Sequence, residues 1–86
     1  MSLKKISQRN YKSIVNRGLI TKSTTFDQFM DKLYEEVKEL YIETPLGEGF
    51  NEELADVILT VLNIAYHYNI DIHTELINKI IKNEKR

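Results

Sequence analysis

The sequence predicts an all-α fold, an antiparallel helical bundle of about four helices, from its composition and its short breaks. Three Gly and one Pro among 86 residues are too few for a loop-rich β fold or a disordered chain. Apolar residues recur at three- and four-residue steps within segments that short breaks separate. Because the connections are short, consecutive helices are expected to be antiparallel neighbours in a single domain over residues 1–86.

The first two helices have recognisable ends. One helix is predicted over roughly residues 4–17, and Gly18 suits the left-handed conformation that often follows a helix. A second is predicted over about 26–43, because Thr25 and Gln28 have the T-x-x-Q spacing of a capping box. Its apolar positions then recur at helical spacing, and they are Phe26, Phe29, Met30, Leu33, Val37, Leu40 and Tyr41.

A loop and a brief turn delimit the other two helices. Pro45, Gly47 and Gly49 interrupt the helical pattern, and a third helix is predicted from near residue 51 to about residue 68. A fourth is predicted to begin at about Ile72. The inward face of this last helix is predicted to consist of Leu76, Ile77, Ile80 and Ile81.

Charge and residue types exclude several classes of partner. Twelve basic and thirteen acidic side chains give a net charge of −1, which does not attract the chain to nucleic acid or to an anionic membrane. No cysteine is present for a thiolate metal site, and no apolar run resembles a signal peptide or a membrane span. We therefore expect a cytoplasmic protein without nucleic-acid or membrane partners. A domain this small buries about 60% of its unfolded surface, which favours assembly with a partner subunit.

Two acids of the second helix lie beside its apolar stripe. At about 100° per residue the stripe centres near Leu33 and Val37, and Glu36 and Glu39 fall along its edge. The ordinary explanation is a solvated charged flank in which Lys32 pairs with Glu36 one turn away. The E-x-x-E pair alone is therefore a weak signal.

The third helix carries a narrow polar stripe on an otherwise apolar surface. The stripe spans about 80°, and the remaining arc is nearly apolar, so this helix is expected to be packed on several sides. Either the stripe is the one edge that faces water, or its acids point inward at a cation, and the helix alone leaves both interpretations open. The stripe consists of Glu53, Asp56, Thr60, Asn63 and His67.

Taken together, the two helices predict a metal site. Glu36-x-x-Glu39 and Glu53-x-x-Asp56 each place two carboxylates one turn apart, and the short loop between them makes the helices antiparallel neighbours. Four converging carboxylates need a counter-charge. Their hard oxygen ligands suit Mg²⁺, or Mn²⁺, better than zinc.

The same segments resemble a known family of enzymes. Residues 32–40 (KLYEEVKEL) and 53–57 (ELADV) are similar to the E-x-x-E … E-x-x-D signature of the MazG-like, all-α nucleoside triphosphate pyrophosphohydrolases. This resemblance covers roughly residues 26–86. It implies cleavage between the α- and β-phosphates of a nucleoside triphosphate, which yields a monophosphate and pyrophosphate. The catalytic, Mg²⁺-binding residues that it implies are Glu36, Glu39, Glu53 and Asp56.

The last segment extends the resemblance. Residues 69–72 (NIDI) and the pattern K-x-x-K-N-x-x-R that begins at Lys79 are similar to the family's closing helix, where basic and amide side chains face the phosphates. Lys79, Asn83 and Arg86 fall on one helical face and are implied to bind substrate phosphates. The alternative is a cationic helix end that the helix dipole favours. Because family members usually form dimers or tetramers with sites near subunit contacts, a homodimer or homotetramer is expected.

Two competing functions fit the same residues. Phosphoribosyl-ATP pyrophosphohydrolase of histidine synthesis shares the helical scaffold and a similar acid motif, and pyrophosphate release from each substrate distinguishes the two enzymes. The other alternative is a helical module that binds a partner without catalysis. For such a module, Mg²⁺ should not raise the melting temperature.

Overall fold

The computed structural model describes residues 1–86, and all of its regular structure is helical. The helices are α1 (Leu3–Asn16), α2 (Phe26–Tyr41), α3 (Glu48–His67) and α4 (Ile72–Glu84). The predicted all-α class is confirmed. Helix α3 begins earlier than predicted, so that Gly49 lies inside it. No helix combines the length and the apolar character that crossing a lipid bilayer requires.

The predicted helix ends follow from local hydrogen bonding. The Thr25 hydroxyl accepts from the Gln28 backbone N–H, and the Gln28 side chain accepts from the Thr25 backbone N–H at 2.8 Å, which confirms the capping box. Gly18 adopts φ +75°, and the N–H of Leu19 donates to the Ile14 carbonyl at 3.1 Å. This is the Schellman ending that a glycine allows after a helix.

Helices α2 and α3 form the central antiparallel pair, joined by the loop 42–47. Glu36 lies five residues before the end of α2 at Tyr41, and Glu53 lies five residues after the start of α3 at Glu48. At 1.5 Å per residue, both positions are about 7.5 Å from the loop, so the two acids face each other at one height. Helix α1 packs against α3, and α4 packs on α1.

Few residues are buried within one chain, and half of the buried residues are polar. Eight residues are buried. The apolar ones are Ile20, Phe29, Leu62 and Ala65, and the polar ones are Ser7, Glu36, Thr60 and Asn63. An apolar core of four residues is small even for a chain of this length, which makes additional burial against a partner favourable.

Two predictions about packing are wrong for the single chain. Helix α4 buries no residue, and the four residues of its predicted inward face are 44–51% exposed. The apolar arc of α3 is open as well, since Leu54, Ile58 and Val61 are 39–56% exposed. The reason is geometric: α1 and α2 cover one side of α3, and α4 packs on α1, which leaves the opposite side of α3 uncovered.

Candidate metal centre

The buried face of α2 is turned toward Glu36. This residue is 6% exposed, whereas Val37, which was predicted near the centre of the apolar stripe, is 45% exposed. Phe29 is the other buried residue of α2, and it lies seven residues earlier on nearly the same face. The ordinary alternative, a solvated charged flank, therefore does not hold for Glu36, because the line from Phe29 to Glu36 is the side of α2 that its neighbours cover.

Lys32 is the cation that pairs with this buried acid. Its Nζ lies 3.0 Å from Glu36 Oε1 and 3.9 Å from Glu35 Oε1, which confirms the predicted ion pair one turn apart. The Lys32 side chain is 54% exposed and that of Glu36 is 8% exposed, so the pair reaches from solvent into the interior. The hydrogen bond to Glu36 raises the pKa of Lys32 above its ordinary value and keeps the ammonium charged.

The polar stripe of α3 faces the other helices rather than water. Thr60 and Asn63 are each 7% exposed and Glu53 is half-buried, whereas Ile58 on the apolar arc is 56% exposed. Of the stripe's two acids, Asp56 remains exposed. The interpretation of the stripe as the water-facing edge of α3 is therefore wrong for most of its length.

The carboxylates of Glu36, Glu53 and Asp56 meet between α2 and α3. One carboxylate oxygen from each residue lies within 4.8 Å of the other two. Glu39, one turn along α2, is near enough for its charge to raise the pKa of Glu53. We call Glu36, Glu53 and Asp56 the acid cluster. It unites three of the four predicted ligands, and the fourth lies beside it.

The acid cluster is costly without a counter-charge. Burial raises the pKa of Glu53 above the usual glutamate value, and the charges of Glu39, Asp56 and Glu36 raise it further. The Oε2 atoms of Glu36 and Glu53 are sealed from solvent and accept no hydrogen bond. Buried acceptors without a partner are unfavourable. A divalent cation fits these residues, since it would bind the unpartnered oxygens and offset their repulsion.

A cleft of about 510 Å³ opens beside the acid cluster, between α1, α2 and α3. Its charged lining consists of Arg17 and Lys32 together with Glu36 and Asp56. The volume lies within the range of small-molecule sites, which is roughly 300–1,000 Å³. Amide and hydroxyl groups also line the cleft, and they belong to Asn10, Thr24, Gln28, Thr60 and Asn63.

The buried polar neighbours of the acids make their own hydrogen bonds. The Thr60 hydroxyl donates to the main-chain carbonyl of Asp56 at 2.8 Å. Asn10 Nδ2 donates to Asn63 Oδ1 at 2.9 Å, which ties α1 to α3. Neither Thr60 nor Asn63 donates a hydrogen bond to a carboxylate, although both line the cleft.

His67, at the end of the polar stripe, joins three helices. Its Nδ1 lies 2.8 Å from the hydroxyl of Tyr11 on α1, and its ring centroid lies 4.6 Å from that of Phe29 on α2. His67 is not one of the residues whose ligand atoms meet in the acid cluster. Its contacts tie α3 to α1 and α2.

The predicted phosphate-binding residues lie elsewhere in the chain. Lys79, Asn83 and Arg86 are exposed on or just after α4, and none of them lines the cleft or forms an ion pair. Helix α4 packs on α1. Within one chain these three residues are therefore not brought to the acid cluster, and their role stays a prediction.

Sequence reasoning missed the contribution of α1. Asn10, Ile14 and Arg17 line the cleft, although residues 1–25 contain no recognised motif. A signal was present in their spacing, because these residues follow the buried Ser7 at steps of three, four and three. Such steps place all four on one helical face.

Comparisons with known proteins found no match. No family model, curated protein or solved structure matches the chain. The resemblance to MazG-like enzymes therefore rests on the sequence motifs alone.

Proposed function

We propose that the protein is a Mg²⁺-dependent, MazG-like nucleoside triphosphate pyrophosphohydrolase that cleans the cytoplasmic nucleotide pool. The supporting observation is the pair of sealed, unpartnered oxygens, Glu36 Oε2 and Glu53 Oε2, in a cluster whose ligand atoms lie within 4.8 Å of one another. A merely solvated charged flank would expose these oxygens to water. Their burial next to a cleft is the arrangement expected of a site that holds a cation and a small ligand.

The proposed reaction needs little covalent chemistry from the chain. A divalent cation, when bound, would offset the triphosphate charge, polarise the α-phosphorus and lower the pKa of a water molecule. A carboxylate takes the proton of the water that attacks the α-phosphorus, the bond to the α–β bridging oxygen breaks, and pyrophosphate leaves. The protein contributes positioning and charge stabilisation. The residues that would hold the ion are Glu36, Glu53 and Asp56, with Glu39 beside them.

The proposal includes assembly as a homodimer or homotetramer. Ile58 of α3 and Ile80 of α4 are more than half exposed in the single chain, and several other aliphatic side chains of these helices are about 40–46% exposed. Exposed apolar surface of this kind is typical of subunit interfaces. A second copy packed there would also provide a route by which Lys79, Asn83 and Arg86 reach a neighbouring acid cluster.

A nucleotide panel tests the proposed activity. Purified protein is incubated with canonical and damaged (d)NTPs and with phosphoribosyl-ATP, in Mg²⁺ or Mn²⁺, and pyrophosphate release is measured. We expect release from at least one (d)NTP. Glu36→Gln and Asp56→Asn should lower kcat by about 100-fold or more while helicity is retained. The matched control is Glu35→Gln, whose 60% exposed side chain lies outside the acid cluster, and it should keep full activity.

The alternatives give different outcomes in this panel. Release from phosphoribosyl-ATP alone would assign the enzyme to histidine synthesis. No release from any nucleotide with either ion, from protein whose helicity is intact, would contradict the proposal and favour a non-catalytic partner-binding module.

A further inference from the structure

Two cations line the cleft beside the acid cluster. Arg17 caps the C-terminal end of α1, and Lys32 lies on α2. Both ion pairs of the chain belong to Lys32, so Arg17 has no carboxylate partner within 4.0 Å. A guanidinium that lines a cleft without an acidic partner can bind a planar or tetrahedral anion through two N–H donors.

Amide groups add neutral donors to the same cleft. Gln28 accepts the Thr25 N–H through its Oε1, which leaves its amino group without a protein acceptor. Asn63 accepts a hydrogen bond from Asn10 through its Oδ1, and the Asn63 amino group also has no protein acceptor. The cleft therefore offers two cations and amide N–H donors, a set that matches an anion rich in oxygen acceptors.

The charge count explains how Lys32 becomes available to a ligand. When ionised, the three carboxylates of the acid cluster carry −3, Glu39 beside them adds −1 and Lys32 carries +1, so a divalent cation offsets most of the excess negative charge. Once Glu36 shares its charge with such an ion, Lys32 has donors to spare, because an ammonium has three. Its Nζ lies 3.0 Å from Glu36 Oε1, so an anion bound at the acid cluster is within its reach.

We propose that Arg17 and Lys32 form a polyphosphate subsite within a single chain and hold the β- and γ-phosphates of the substrate. This inference rests on the proposed function and names the residues that bind the part of the substrate that leaves as pyrophosphate. The negative charge that develops on this leaving group as the α–β bond breaks is then stabilised by two cations. The subsite lies in the cleft, and α4 contributes nothing to it.

Calorimetry with pyrophosphate tests the subsite without requiring turnover. Pyrophosphate in excess Mg²⁺ is titrated into the full chain as wild type, Arg17→Met and Lys32→Met. Each Met variant should raise Kd by about tenfold or more, since it removes a charge-assisted contact. Lys32→Arg should restore most of the affinity. The matched controls Lys12→Met and Lys38→Met remove exposed cations of α1 and α2 that do not line the cleft, and they should bind as wild type does.

The outcomes separate the subsite from the proposed activity. Far-UV circular dichroism and Mn²⁺ binding without pyrophosphate check that each variant keeps its fold and its acid cluster. Wild type that binds no pyrophosphate, or Met variants that bind it as wild type does, would overturn the subsite. So would Met variants that lose affinity for a nucleoside monophosphate but not for pyrophosphate, because the cleft would then hold the nucleoside. Wild type that binds pyrophosphate through Arg17 and Lys32 but hydrolyses no nucleotide would retain the subsite and contradict the proposed activity.

Discussion

Glu36 is a buried glutamate with only one of its two carboxylate oxygens paired. Glu36 Oε1 has the Lys32 ammonium at 3.0 Å, whereas its Oε2 and the Oε2 of Glu53 are sealed without a partner. In the absence of an ion, removal of the Glu53 charge relieves repulsion from its acidic neighbours. In the presence of an ion, the same change removes a ligand. The stability of the ion-free protein and the binding of a metal therefore respond in opposite directions to the same substitution.

Glu53→Gln allows both effects, on the stability of the ion-free protein and on metal binding, to be measured in one variant. Because the pKa of Glu53 is raised in the folded state, the folded protein holds the proton more tightly than the unfolded chain between the usual glutamate pKa and the raised one. In EDTA, this group therefore lowers the free energy of unfolding as pH rises through that window. Glu53→Gln should remove this fall and raise the melting temperature of the ion-free protein above pH 7.

Thermal unfolding from pH 4 to 8, with EDTA and with excess Mg²⁺, checks this prediction. Mg²⁺ should stabilise wild type and leave Glu53→Gln unchanged, since the variant lacks a ligand. Glu52→Gln alters an exposed neighbour outside the acid cluster and should behave as wild type. If the melting temperatures of wild type and Glu53→Gln depend on pH in the same way, the Glu53 carboxyl group is not the cause of the fall in stability with rising pH.

The helices were predictable where short-range interactions determine them. The capping box at Thr25 and the glycine ending at Gly18 depend on residues within one turn, so sequence spacing was sufficient. Which face of α2 is buried was not predictable from the sequence. The spacing of apolar residues places Val37 at the centre of the buried face, whereas in the structure Glu36 is buried and Val37 is 45% exposed. The cleft-lining role of Arg17 also depends on how α1 crosses α3, which no local pattern contains.

Thr25→Ala tests the local origin of the α2 start. The change leaves the Gln28 backbone N–H without its side-chain acceptor, which should lower the free energy of unfolding by about 1 kcal/mol. For a domain of this size that loss corresponds to a melting temperature lower by about 4–8 °C. Ser23→Ala is the matched control, since the Ser23 hydroxyl makes no hydrogen bond in the structure. Equal melting temperatures for Thr25→Ala and wild type would contradict a stabilising cap.

We expect assembly with further copies of the chain to cover the open apolar surface. Four apolar residues form the buried core of one chain, while α3 and α4 leave large aliphatic side chains near half exposure. The sequence pattern identified an apolar face on α4 and predicted that it lies inward, but within one chain this face stays near half exposure. It consists of Leu76, Ile77, Ile80 and Ile81. Periodicity reports which face is apolar and carries no information about which chain covers it.

Ile80→Glu tests this interpretation. Light scattering after size exclusion should show wild type as at least a dimer, and the variant should shift toward the monomer because a charge at the interface is not compensated. Lys82→Glu also introduces a glutamate into α4, but on the opposite face at 100° per residue, and it should retain the wild-type mass. A monomeric wild type, or an Ile80→Glu variant of unchanged mass, would contradict burial of this face between copies.

Titration of Mn²⁺ into the ion-free protein, followed by electron paramagnetic resonance, tests the claim on which the proposed function depends. The structure places ligand atoms of Glu36, Glu53 and Asp56 within 4.8 Å of one another. We therefore predict saturable binding of Mn²⁺ at the acid cluster of each chain, loss of that binding in Glu36→Gln and Asp56→Asn, and competition by Mg²⁺. Glu35→Gln should bind as wild type does. Absence of saturable binding, or equal binding in all of these variants, would contradict a metal centre at the acid cluster.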